Sequence, residues 1–164
     1  ALERQLHPTH VYAGIRQESA FKKDALSPAG AMGLMQLMPK TGRATAKKYN
    51  IPLGNTRLLY RSDKNIAIGS AYLQQVMEKY DDNIILASAA YNAGPHRVDR
   101  WLPEHETQPA DSWIALIPYR ETRKYVQRIL SYIAIYDWRL DQPVTPLHKH
   151  MQAVLPTGSY TGTK

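Results

Sequence analysis

Ile84-Ile85-Leu86-Ala87-Ser88-Ala89-Ala90-Tyr91-Asn92-Ala93, followed by Gly94-Pro95, is apolar nearly all round. A stretch of this length without a wet face reads as a helix buried on every side. Asp81-Asp82-Asn83 breaks the chain before it and Gly94-Pro95 stops it. On both sides the chain reads as helical. Upstream, Ile66, Gly69, Tyr72-Leu73, Val76-Met77 and Tyr80 share one face of a helix from Asp63 to Tyr80, with Asp63 placed to cap it. Downstream, Tyr119 to Leu140 is the longest pattern. Tyr125, Val126, Ile129, Ile133 and Tyr136 form its stripe, Leu130, Tyr132 and Trp138 extend it, and Pro143 and Pro146 close it. The expected class is mainly α.

Working outward, a first helix starts near His7-Pro8-Thr9 and ends at Ser19, before Lys22-Lys23-Asp24. Ser27-Pro28, Gly30 and Gly33 mark a loop from Ala25 to Met38. Its tail, Gly33 to Met38, reads as a short extended segment or the arm of a β-hairpin. Pro39 suits the first position of a helix reaching about Tyr49, and Asn50 to Asn55 is a connector. A looser region with Pro103 and Pro109 runs from Gly94 to Ile117-Pro118. Residues 1–6 read as the end of an earlier helix and lack the pattern of a signal peptide. A mature domain and a piece of a longer chain both remain open. Residues 156–164, with Pro156, Gly158 and Gly162, read as a flexible tail.

The 164 residues, 43% hydrophobic and free of low-complexity runs, suit one domain with a real core. No stretch approaches the about 20 apolar residues of a membrane span. With no cysteine there is no disulfide, no thiolate chemistry and no cysteine-built zinc site. The net charge of +7 points to an anionic partner. The bases are dispersed and match no RNP, zinc-finger or basic-zipper pattern, so nucleic acid is not the expected partner.

Four polar spots sit oddly in apolar surroundings. Val11, Ile15 and Glu18 recur at i, i+4 and i+7, so this carboxylate extends an apolar stripe. A dry environment and the negative helix end both push its pKa up, as a general acid needs. A buried Glu capping a backbone donor or paired to Arg is the alternative. Gln36 lies among Leu34, Met35, Leu37 and Met38, and either bridges loop backbone or serves a ligand. The two methionines read as packing, although flexible thioethers also suit a sugar-binding wall. Tyr91-Asn92 ends the buried helix, as core aromatic and C-cap or as site. Tyr119-Arg120-Glu121-Thr122 opens the long helix, where Glu121 also fits a first-turn capping role.

In order along the chain stand Glu18-Ser19, Gly33-Leu34-Met35-Gln36-Leu37-Met38-Pro39, Asn65-Ile66 with Gly69 and Tyr72-Leu73, Ala90-Tyr91-Asn92-Ala93-Gly94, and Tyr119-Arg120-Glu121-Thr122 with Tyr125-Val126. This series resembles the catalytic domain of the soluble lytic transglycosylases, murein-cleaving bacterial enzymes related to goose-type lysozyme. The resemblance covers roughly Leu6 to Leu140 and implies a lysozyme-like helical fold with a glycan-binding groove, one catalytic domain over residues 1–155. It implies Glu18 as the single catalytic acid. Gln36 and Met38 contact sugar, and Tyr91 sits beside the carboxylate. Ser27, Asn92, Tyr119 and Glu121 join them as substrate-binding positions.

The implied substrate is peptidoglycan, in the bacterial periplasm and associated with the cell wall, with other domains of a longer chain as further partners. Ordinary glycosidases pair two carboxylates, about 5–5.5 Å apart for retention or about 6.5–9.5 Å for inversion. Here only Glu18 combines an apolar setting with a matching motif; Asp24 reads as a wet turn. The implied chemistry is therefore one carboxylate used as acid and then base, with no metal or organic cofactor. The rivals are a water-using lysozyme, a non-catalytic glycan-binding module, and a basic nucleic-acid binder.

Overall fold

A computed structural model describes residues 6–160 and 162 of the chain. It is mainly helical, as the periodicities predict. The helices are α1 (Pro8–Ser19), α2 (Pro39–Lys48), α3 (Ser62–Lys79), α4 (Ile84–Ala93), α5 (Pro95–Asp99), α6 (Ala110–Leu116), α7 (Arg120–Arg139) and α8 (Leu147–His150), with a 3₁₀ turn at Thr56–Tyr60. The backbone divides into two compact units, Ala1–Gln74 and Gln75–Lys164, with the boundary inside α3. The expectation for residues 1–6 falls, apart from Leu6, outside the described residues.

In the first unit, α1 and α2 both begin with Pro, whose missing N–H is not needed in a first turn. Ala20 ends α1 in the left-handed conformation, φ 50°. Along α1, Ile15 is buried while Val11 and Glu18 are half-buried. The core gathers Leu37, Ala46, Leu53, Leu59 and Ile68, with Met32, Ile51 and Leu58 packed against it. Burying each leucine or isoleucine of this group is worth about 1.5–3 kcal/mol. The 3₁₀ turn after Asn55 buries Leu59, and the Asn55 side chain caps that turn by accepting from the Arg57 N–H at 2.9 Å.

Two details of α3 differ from the pattern reading. The helix starts at Ser62, so Asp63 lies inside its first turn, held by Arg61 Nε and Nη2 at 3.1 Å each. The inward face also carries Asn65 and Ile68, while Ile66 is half-buried. Apolarity alone ranked Ile66 above Asn65, but Asn65 has hydrogen-bond partners waiting inside. The expected hairpin forms no strand among the described residues. Instead, Met32 makes isolated antiparallel bridges to Leu26 and Leu37.

In the second unit α4 is the buried axis: every residue from Ile84 to Ala90 is buried. Asn83 caps it, accepting from the Ile85 and Leu86 N–H groups at 3.1 and 3.3 Å. Helices α5 and α7 pack on it. The region read as loose holds two short helices, because Pro95 and Pro109 start helices rather than break them. Trp113 of α6 is buried and donates its indole N–H to Trp101 O at 2.9 Å. On α7, Tyr125, Val126, Ile129, Leu130, Ile133 and Tyr136 are buried as expected. Trp138 is not part of that stripe; it is 70% exposed. At 3.6 residues per turn it falls about 160° from the stripe's centre, on the opposite side of the helix.

Residues 156–160, read as the start of a flexible tail, are placed by several contacts. Thr157 N–H donates to Pro103 O at 2.9 Å, and the Tyr160 hydroxyl accepts from Leu155 N–H at 2.9 Å. The buried Tyr160 ring stands edge-on to Tyr80, 5.7 Å between centroids. Residues 161, 163 and 164 of that segment lie outside the described residues.

Candidate active site

In the first unit the predicted residues lie at the end of α1 and along the loop that follows it. Glu18 is half-buried in the last turn of α1, and its neighbour Ser19 donates its hydroxyl to Ile15 O at 3.3 Å. The chain then leaves through two left-handed residues, Ala20 (φ 50°) and Phe21 (φ 69°), an exit that L side chains rarely adopt.

Ser27 ties one turn of the loop. Its Oγ accepts from Ala31 N–H at 2.9 Å and its own N–H donates to Ala31 O at 2.9 Å. Met32 and Leu37 exchange two backbone hydrogen bonds of 3.0 Å across the turn Gly33–Gln36. Gln36 closes that turn in the left-handed region, φ 45°. Its amide nitrogen donates to Ala25 O at 3.1 Å and Gly33 O at 2.8 Å. Both amide hydrogens are committed to backbone, which leaves the side-chain carbonyl as the part of Gln36 able to meet a ligand.

The two methionines separate. Met35 is buried, whereas Met38, at the N-cap of α2, is 41% exposed. The packing account therefore holds for the first, and the second is left partly open to solvent.

The residue that organises this loop carried no role in the sequence reading. Asn65 is fully buried and makes three hydrogen bonds. Its Oδ1 accepts from Met35 N–H at 2.7 Å; its Nδ2 donates to Met32 O at 2.9 Å and Leu59 O at 2.7 Å. A side chain on Gly33 would overlap both the Asn65 amide and Leu59 O, and Gly33 has φ 76°. Gly69, one turn along α3, leaves room for Met35, whose sulfur and Cβ a methyl there would overlap. The signal was available: an Asn on an apolar helix face, one turn before a Gly.

In the second unit the predicted residues gather where α4 ends and α7 begins. Tyr91 and Asn92, both half-buried, occupy the last turn of α4. Asn92 Oδ1 accepts from the buried Thr122 hydroxyl at 2.7 Å, a bond from α4 to α7 that fixes the amide's orientation. Glu121 is exposed in the first turn of α7, and Tyr119, its N-cap, is 46% exposed. The Tyr119 ring stands edge-on to Trp101, 5.3 Å between centroids, with the Arg97 guanidinium 5.4 Å over it. Arg97 is itself anchored to Ala93 O at 2.9 Å. Neither Trp101 nor Arg97 was singled out from sequence, since both lie in the stretch read as loose.

A family model described as Transglycosylase SLT domain matches residues 1–114, and one described as Soluble lytic transglycosylase helical domain matches residues 116–144. A soluble lytic murein transglycosylase of Salmonella typhimurium is 43% identical over 136 residues, 81% of this chain and 21% of that protein. Among solved structures, a lytic transglycosylase of Pseudomonas aeruginosa, held as an inactive glutamate-to-glutamine mutant, aligns with a TM-score of 0.83. It shares 49% identity over 89% of this chain and 24% of that one. The 70 kDa soluble lytic transglycosylase of Escherichia coli aligns with a TM-score of 0.82 and 37% identity, over 91% of this chain and 24% of that one. The chain spans about a fifth of the length of the curated relatives it matches. It belongs to the transglycosylase SLT domain family, the lysozyme-like group that its order of motifs resembles.

Proposed function

We propose that residues 1–155 form the catalytic module of a peptidoglycan lytic transglycosylase, acting on glycan strands in the bacterial periplasm during cell-wall turnover. The observation that carries this reading is Glu18 itself: a half-buried carboxylate in the last turn of α1, opening into a loop held by Ser27, Gln36 and Asn65. Murein is the polymer named for the relatives. The inactive mutant of the Pseudomonas aeruginosa relative supports a chemistry centred on one glutamate. Asp24, the carboxylate nearest in sequence, is exposed.

Glu18 gives its proton to the glycosidic oxygen between N-acetylmuramic acid and N-acetylglucosamine, and the C1–O bond breaks. The muramic N-acetyl oxygen supports the positive charge left on C1. The Glu18 carboxylate then takes the proton of the C6 hydroxyl, and O6 closes on C1 to give the 1,6-anhydro sugar. One group thus serves as acid and base in turn. Ser27, Met38 and the Gln36 carbonyl hold sugar in the first unit; Tyr91, Asn92, Tyr119 and Glu121 supply substrate contacts from the second.

The test is product analysis on purified peptidoglycan. Mass spectrometry should find 1,6-anhydromuramic ends, and mainly reducing muramic ends would mean a hydrolase instead. Glu18→Gln should lower turnover by at least about 10³-fold, within the usual range for a general acid, with unchanged circular dichroism.

A further inference from the structure

The formal charge of +7 is confined to one unit. Residues 1–74 carry eleven Lys and Arg against four Asp and Glu; residues 75–164 carry ten against ten. Within the first unit the excess centres on α2, which holds Lys40, Arg43, Lys47 and Lys48 and no carboxylate. Lys40, Arg43 and Lys47 recur at i, i+3 and i+7, all exposed, on one face. Among the described residues none of the three is ion-paired.

Helix stability does not account for this arrangement. Lys47 and Lys48 suit the negative C-terminal end, but Lys40 sits in the first turn, where a cation opposes the dipole. The pairs Lys40–Arg43 and Arg43–Lys47 place like charges at i,i+3 and i,i+4, which is unfavourable in a helix. Beside the same face, at the end of α2, lies a groove of about 420 Å³ lined by Arg43, Lys47, Asn50, Ile51, Pro52 and Gly54. Its size falls in the range of small-ligand sites, about 300–1,000 Å³. Arg43 offers a fork for a carboxylate and Lys47 a point charge, while Ile51 and Pro52 supply an aliphatic wall. No aromatic ring lines it, so it lacks the stacking platform of a single-strand nucleic-acid groove.

We propose that this groove and the cationic face of α2 form an accessory subsite for the carboxylate-bearing peptide stems of the wall polymer. The proposal rests on the murein reading above. It assigns recognition of peptide carboxylates to Arg43 and Lys47, with small aliphatic residues of the stem against Ile51 and Pro52.

The test measures binding in a Glu18→Gln background, so that nothing is cleaved and the outcome does not depend on the chemistry. Three probes are used: murein strands with stems, the same strands stripped of stems by an amidase, and anionic phosphatidylglycerol vesicles. Arg43→Glu with Lys47→Glu should weaken binding to stem-bearing strands about tenfold at low salt, with the loss shrinking as salt rises. Binding to stripped strands should stay unchanged. Arg43→Lys should retain part of the affinity, and circular dichroism should match the parent. Equal loss on stripped and stem-bearing strands, or no loss on either, overturns the proposal. So does a loss confined to the vesicles, which would make the face a membrane-facing one. Failure of the transglycosylase reading registers separately, as an absence of anhydro products from the parent enzyme.

Discussion

The two units hold their shape by different means. In the second, a helix without a wet face is wrapped by others, and its left-handed residues, Asp81, Asp82, Gly94, Asp141 and Gly158, all lie outside helix interiors. In the first, Ala20, Phe21, Gly30, Gly33 and Gln36 take left-handed conformations within one loop, and buried hydrogen bonds from a single asparagine hold part of it. Apolar burial fixes a helix bundle because it is indifferent to detail. A loop that must hold particular groups in place needs direction, and direction comes from hydrogen bonds.

Asn65 is the place to break that contrast hardest. Asn65→Leu would leave Met35 N–H and Leu59 O without their Asn65 partner, while Met32 O keeps its bond from Leu37 N–H. At about 1–3 kcal/mol per unsatisfied group, urea denaturation should show a loss of at least about 2 kcal/mol. Asn65→Asp sharpens the point. It keeps the acceptor for Met35 N–H but turns a carboxylate oxygen toward two carbonyls, so it should be nearly as damaging. A mild Asn65→Asp would mean the loop is held by packing instead.

Gly69→Ala comes next. Its methyl would overlap Met35, a residue buried at the heart of the same loop, and overpacking of this kind costs about 1–3 kcal/mol. Paired with Met35→Ala, which removes the sulfur it meets, the loss should be less than additive in a double-mutant cycle. The comparison in the second unit is Trp138→Ser, on a ring 70% exposed, which should stay within about 0.5 kcal/mol of the parent.

These effects also mark what the sequence could tell. The periodicities of α4 and α7 were legible because a one-sided or all-round apolar pattern has few other solutions. Glu18, Gln36 and Tyr91-Asn92 stood out as polar groups in apolar company. Asn65 entered only as part of a motif block and without a role, because two of its three partners are backbone groups 30 and 33 residues away that no local pattern exposes. Arg97 and Trp101 were hidden by prolines that read as breakers and act as helix starts. Trp138 was misplaced because its bulk outweighed its angle on the helix.

The second unit has its own directed contact in Thr122 and Asn92. Thr122→Val keeps the shape of the buried side chain and removes the donor to Asn92 Oδ1, 2.7 Å away. The loss should be about 1 kcal/mol in stability, since the half-buried amide can turn to water. If Asn92 holds substrate, the same variant should raise KM for murein more than it lowers kcat. A change confined to stability would leave the amide with a purely structural role.

The smallest effects distinguish the units by pH. Burial pushes His150 of α8 below its ordinary 6.5, against the pull of Asp137, the buried carboxylate of α7. The unfolded chain then binds the proton more readily than the folded one. Stability therefore falls as pH drops through 6.5 and levels off below the folded value. In the first unit the Arg61 hydrogen bond, aided by its charge, holds Asp63 below its ordinary 3.8, so its share is present above that value and lost in stronger acid. The exposed Asp63 pair is screened by water, so its slope should be slight. Denaturation midpoints across pH separate the two windows: His150→Gln should flatten the upper one and leave the lower, and Asp63→Asn the reverse. If His150→Gln leaves the slope just below pH 6.5 untouched, α8 does not hold that ring in the dry environment that depresses it.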